Sequence, residues 1–218
     1  MSKWALVTGA TAGIGESFTR VLAREGFNIV LVARDLERMK ERAASLESQF
    51  KVQSAIVQAD LATDDGCAKV ETYILENQIE VLVNNAGFGI NKAFSVSDLD
   101  SEQQLLDVLV RTPMRLMHTV LPQMKQRNSG SIINVSSVAG WIAGGTYSAS
   151  KSYLTVLSES IHTEMSGTGI KISALCPGFT RTEFHERGRM RMNGLPEFMW
   201  LSSDRVVTQA WKENQNGK

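Results

Sequence analysis

The 218-residue chain is short of the residues that mark most specialised chemistries. It has two cysteines, Cys67 and Cys176, and three histidines, His118, His162 and His185. Neither set has metal-ligand or redox spacing, so no metal site is expected. His118 and His162 read as ordinary helix positions, and both cysteines as buried free thiols of a reducing compartment. Net charge is missing as well: 23 Lys and Arg balance 23 Asp and Glu. No field therefore favours nucleic acid or an anionic membrane. No apolar run approaches ~18 residues, which excludes a membrane-spanning helix. The opening "MSKWALVTG" enters a strand pattern at once, without the charged region, apolar segment and cleavage site of a leader. The expected compartment is the cytoplasm.

What the chain does have is alternation. Short apolar, β-branched runs occur at 4–8, 28–33, 52–57, 79–84, 131–136 and 171–176, separated by helix-length segments. In "GESFTRVLAREG", Phe18, Val21, Leu22 and Phe27 fall on helical spacing. Near-continuous apolar strands between helices predict a parallel sheet covered on both faces. Right-handed crossovers make this a doubly wound α/β fold, three-layered and Rossmann-type, with ligands at the carboxyl ends of the strands. Neither repeats nor linkers divide the chain, so 1–218 reads as one domain. A long helix over 101–126 contains Pro113, which predicts a kink or break near Thr112. Ser203 and Asp204 are placed to cap a last amphipathic helix holding Val206, Val207, Ala210 and Trp211.

Between the first strand and first helix lies "VTGATAGIG" (7–15). In that setting Gly9 permits a tight turn, Gly13 lets a pyrophosphate approach the helix amides, and Gly15 allows close helix–strand packing. The Lys-Ser/Thr of a Walker loop is absent, which disfavours ATP and GTP. A carboxylate that binds a ribose 2′-hydroxyl would stand at the end of the second strand, where this chain has Ala33-Arg34. A cation there suits a 2′-phosphate and favours NADP (NADPH) over NAD. Asp35 follows directly and weighs against that choice, unless it starts the next helix.

Further on come "NNAG" (84–87), "NVSSVAG" (134–140), "YSASK" (147–151) and "CPGFTRT" (176–182). With the glycine loop, in this order, they resemble the short-chain dehydrogenase/reductase family over residues 4 to 205. Within it, "ALCPGFTRTEFH" is similar to the DltE-like, broad-specificity branch. Tyr147 and Lys151 are four apart and share a helix face. An ammonium beside a phenol of ordinary pKa ~10 would favour its ionised form, so Tyr147 is expected to act as general acid or base. Lys151 is also expected to hold the nicotinamide ribose. The resemblance makes Ser137 the group that polarises the substrate oxygen, with Ser136 in reserve because the interval to Tyr147 is shorter than usual. It adds Thr11 and Ile14 to the cofactor loop. It places Asp60 and Leu61 at the adenine, Asn85, Ala86 and Gly87 along the bridge to the nicotinamide, and Pro177, Gly178, Thr180 and Thr182 beside the nicotinamide. Asn84 and Asn85 could equally tie neighbouring strands.

The reaction so implied is hydride transfer between NADPH and a small carbonyl or alcohol substrate. Two departures keep a second reading open, a cofactor-binding relative with little or no catalysis. Leu109, in "DVLVRTP", stands where the family usually has an asparagine. No seventh strand follows the sixth, and such an exposed edge invites pairing with another chain, so a homo-oligomer, dimer or tetramer, is expected. A methyltransferase-like doubly wound protein is the third reading. The segment 179–200 is expected to form a substrate lid. Its Arg187, Arg189 and Arg191 would meet an acidic substrate or solvent, and Phe198, Met199 and Trp200 would either wall an apolar pocket or pack the last helix.

Overall fold

Apolar side chains that alternate along a strand need cover on two sides, and here each side receives its own helices. The computed structural model describes residues 3–183 and 196–217. In it β1 (Trp4–Thr8), β2 (Asn28–Ala33), β3 (Ser54–Gln58), β4 (Val81–Asn84), β5 (Gly130–Val135) and β6 (Ile170–Leu175) form one sheet. The order is 3-2-1-4-5-6 and every pairing is parallel. Between β1 and β4 the winding reverses, which opens a crevice at the strands' carboxyl ends.

Seven α-helices are described: α1 (Gly13–Arg24), α2 (Leu36–Phe50), α3 (Asp64–Glu76), α4 (Leu99–Leu106), α5 (Thr112–Arg127), α6 (Gly145–Glu164) and α7 (Ser203–Gln215). Leu6, Val30, Leu82 and Ile132 point to one side, into a core with Val70 and Ile74 of α3, Leu116 and Val120 of α5 and Leu154 of α6. Their neighbours Ala5, Val7, Ile29, Val83 and Ile133 point the other way, onto Phe18 and Leu22 of α1, Met39 of α2 and Val207 and Trp211 of α7. Trp211 meets Phe27 edge-on, with ring centres 5.6 Å apart.

Four expectations are corrected by the fold. β3 and β4 each start two residues later than the apolar runs at 52 and 79. Ile79 is buried, but its amide donates to the Gln123 side chain at 3.1 Å rather than to a strand. The 101–126 helix does not break at Thr112; it widens into a π turn over Asp107–Arg111, and Pro113 sits in the first turn of α5. Proline has no N–H and crowds the carbonyl four residues back, and a wider turn relieves both problems. Ser203 and Asp204 do not cap α7, whose N-cap is Ser202. They bind α1 instead: Ser17 Oγ lies 2.9 Å from Ser203 Oγ and 2.7 Å from Asp204 Oδ1, and Arg20 reaches Asp204 at 2.6 Å. Finally, Cys67 is buried but Cys176 is only half-buried, because it lies just past the end of β6 where the chain leaves the core.

Among the described residues the sheet ends at β6. Its free side borders an open groove of about 1070 Å³ between α6 and α7, with Ile172, Ala174, Val206 and Ala210 on its walls. His162 is not idle there: its Nδ1 donates to the Ile172 carbonyl at 3.1 Å. No helix among the described residues is long and apolar enough to cross a membrane.

Candidate active site

The glycine turn is built around contacts within the protein. Gly9 and Gly13 have φ of +64° and +56°, the left-handed region that side chains disfavour. A Cβ on Gly15 would lie 2.2 Å from the Gly9 carbonyl oxygen, so α1 can pack this close only with glycine there. Against Gly13 sits Thr182 of the segment after β6, whose Cβ and Cγ2 would be 2.9 Å from an added Cβ. Thr11 is buried and Ile14 packs on the α1 side of the core. Asp35, Thr63 and Asp98 cap α2, α3 and α4 with their side chains, whereas Ala12 leaves the first amides of α1 uncapped.

Asn84 and Asn85 do tie strands together. Asn84 Nδ2 donates to Asn134 Oδ1 at 2.8 Å, and Asn85 Nδ2 donates to the Thr8 and Gly9 carbonyls at 2.9 and 3.2 Å. Thr8, which the motifs did not single out, takes the Asn85 and Ala86 amides on its Oγ1 at 2.9 and 3.0 Å. Gly87 comes next, on the exposed lip of the crevice. Asp60 is exposed at the carboxyl end of β3, but Leu61 is 6% exposed and belongs to the core, so its side chain faces inward.

Ser137, Tyr147 and Lys151 converge where β5 meets the crevice. Ser137 follows β5 and caps a short 3-10 turn, its Oγ accepting the Ala139 amide at 3.1 Å. Tyr147 lies in the first turn of α6 and is hydrogen-bonded to the Ser137 side chain. Lys151, one turn on, is 4% exposed; its Nζ donates to the Val135 carbonyl at 2.7 Å and stands 5.7 Å from the Tyr147 ring centre. Ser136 takes no part, because alternation buries it with its Oγ donating to the Lys151 carbonyl at 2.7 Å.

The electrostatics differ from the expectation that Lys151 acidifies Tyr147. Burial raises the Tyr147 pKa, opposed by the Ser137 hydrogen bond. Burial lowers that of Lys151 to about 8, with the Cys176 thiol opposing. The reason is placement: the ammonium lies over the ring and bonds a backbone carbonyl, while Lys151 is buried and Tyr147 partly so. Leu109, carried by the π turn, is 1% exposed, and its Cδ2 would be 2.8 Å from a Cβ on Gly87, a point 3.9 Å from Lys151 Nζ.

At the other end of the crevice, Arg34 is exposed just after β2 and Asp35 caps α2, accepting the Arg38 amide at 3.1 Å. Arg38 was not singled out by the motifs, yet its guanidinium stands in that first helical turn and holds Glu183. Its signal in the sequence is a second arginine four residues after Arg34. Past β6, Val138 donates its amide to the Pro177 carbonyl at 3.2 Å, Gly178 is half-buried and Thr180 is buried. Of the 179–200 segment only the two ends are described, joined by Leu201 donating to Phe179 and accepting from Arg181 at 2.8 and 3.0 Å. Its arginines at 187, 189 and 191, His185, and the side chain of Phe198 lie outside the described residues.

Fold order, uncapped first helix and the Ser–Tyr–Lys cluster together define a doubly wound protein of nucleotide-binding type. A sequence model of the short chain dehydrogenases matches residues 3–192, and the chain belongs to that family. The very-long-chain 3-oxoacyl-CoA reductase of Rattus norvegicus is 32% identical over 190 residues, covering 84% of this chain and 61% of the relative. The chain thus spans about three fifths of the length of the first curated relatives it matches. Among solved structures, the short-chain dehydrogenase from Sphingobium yanoikuyae in complex with NADPH superposes with a TM-score of 0.94 at 32% identity, covering 99% of this chain and 85% of that one. The bulky-bulky ketone specific alcohol dehydrogenase from Comamonas testosteroni gives 0.87 at 33%, covering 98% and 84%.

Proposed function

We propose that this chain is an NADPH-dependent reductase of carbonyl compounds, able in reverse to oxidise alcohols. The convergence of Ser137, Tyr147 and Lys151 on one lip of the crevice carries this reading. The residues present fit the cofactor. The uncapped amides of α1 offer donors to a pyrophosphate, Arg34 follows the end of β2 where a 2′-phosphate belongs, and Arg38 stands on the first turn of α2 four residues on. Thr11, Ile14, Ala86, Gly87 and Asp60 line the same crevice in this reading, with Pro177, Gly178, Thr180 and Thr182 at its far end. When bound, NADPH supplies the hydride.

The chain's own part is proton supply and charge stabilisation. Tyr147, its pKa raised by burial, keeps its proton at neutral pH and is a general acid ready to donate to a substrate oxygen. Ser137 Oγ accepts the Ala139 amide and is hydrogen-bonded to Tyr147, and in this reading its hydroxyl turns to a bound substrate oxygen and stabilises its developing charge. Lys151, its ammonium on the Val135 carbonyl and 5.7 Å from the Tyr147 ring centre, is placed in this reading to hold the nicotinamide ribose rather than to acidify the phenol. The related ketone-specific enzyme supports a ketone as substrate.

A second reading, cofactor binding with little turnover, is favoured by Leu109, a buried apolar side chain against Gly87 where the family usually has an asparagine. NADPH oxidation across a panel of ketones decides between them. Turnover that is lost in Tyr147→Phe while NADPH still binds supports the reductase. Tight NADPH binding with no turnover in the unaltered protein sinks it.

A further inference from the structure

Glu183 lies eight residues past the end of β6, yet it is bound to α2. Arg38 Nη2 donates to its Oε1 at 2.8 Å and Nη1 to its Oε2 at 3.3 Å, so both carboxylate oxygens are engaged. The preceding residue, Thr182, is seated on Gly13. Residues 177–183 therefore run from the Ser137 turn, across the glycine turn, to the first turn of α2. A carboxylate engaging a guanidinium through both oxygens uses the geometry that a phosphate would use. The cation it takes stands on the first turn of α2, four residues after Arg34, which follows the end of β2 where the 2′-phosphate of NADP is expected.

We propose that Glu183 stands in for the cofactor's 2′-phosphate, a specificity-determining residue that competes with it for Arg38. The inference rests on the NADPH reading above. A 2′-phosphorylated nucleotide exchanges one anion for another at Arg38 and releases Glu183 from α2. A nucleotide without that phosphate leaves the pair intact. The segment beside Ser137 thereby responds to the far end of the cofactor. Because the pair is half-exposed, the competition is modest.

Calorimetry on the full chain with adenosine 2′,5′-bisphosphate and adenosine 5′-monophosphate tests this without any turnover. The unaltered protein is expected to prefer the bisphosphate. Glu183→Gln should tighten the bisphosphate about fivefold and leave the monophosphate unchanged. That gain should vanish when Arg38→Gln is added. No gain, or an equal gain for both nucleotides, overturns the competition while leaving the cofactor reading in place. Equal binding of the two nucleotides by the unaltered protein overturns the cofactor reading and the inference with it.

Discussion

The Lys151 ammonium and the Tyr147 ring lie 5.7 Å apart in a pocket that buries the lysine and partly buries the tyrosine. Desolvation works on them in opposite senses, keeping the phenol protonated and weakening the hold of the amine on its proton. Tyrosine is thus a proton donor across the neutral range, while the charge of the lysine is the quantity that pH can change.

Carbonyl reduction should consequently fall as pH rises through about 8, where Lys151 loses its charge. A pH–rate profile that stays flat to 10 contradicts this. Stability should move the other way. Between about 8 and the ordinary lysine value of 10.5, the unfolded chain keeps the proton and the folded chain does not, so this group's contribution rises with pH. Replacing the ammonium, in Lys151→Met, should raise Tm at pH 7 and abolish that slope.

The two hydroxyls should separate by size of effect. Tyr147→Phe removes the proton donor and should lower kcat by at least ~10³-fold, with NADPH affinity within about twofold of the original. Ser137→Ala should cost about 10²-fold in kcat, because Tyr147 can still donate. Stopped-flow reduction of one ketone by both variants gives the comparison.

Gly15→Ala tests the contact that seats α1. Its methyl would have to share space with the Gly9 carbonyl oxygen, 2.2 Å away, and with the Asn85 amide. The carbonyl cannot yield without moving the turn after β1, and the Asn85 side chain can turn aside only by giving up its bonds to Thr8 and Gly9, so a loss of about 3 kcal/mol is expected, measured by chemical denaturation. A Tm within one or two degrees of the original would show that the turn can relax.

Trp211→Ala probes the last helix. Trp211 is 9% exposed and packs edge-on against Phe27, holding α7 to the α1 side of the sheet. Truncation should cost about 3 kcal/mol. An unaltered denaturation midpoint would mean that the remaining contacts, Asn214 on Ser173 Oγ at 2.9 Å and Ser203 and Asp204 on α1, anchor the helix without it.

Strand alternation made the layers legible. Leu6 and Val7, adjacent in sequence, go to opposite cores, as period-two alternation requires. The Tyr-x-x-x-Lys spacing likewise placed two groups on one face of α6. Less legible were features that depend on what lies across a gap. Ser203 and Asp204 have the composition of a cap, yet their hydrogen bonds go to α1, 184 to 187 positions away. Leu61 occupies a site position by order along the chain but turns into the core, because β3 delivers it to the α3–α5 side.

Local chemistry alone therefore settled the strand periods, the glycine turn and the pairing of a phenol with an amine, since each depends on residues within a few positions of one another. Distance across the fold decided the rest: that Lys151 turns to a backbone carbonyl, that Leu109 reaches its neighbourhood, and that Glu183 finds Arg38. Burial and charge depend on neighbours brought together by packing, and packing has no sequence spacing to read.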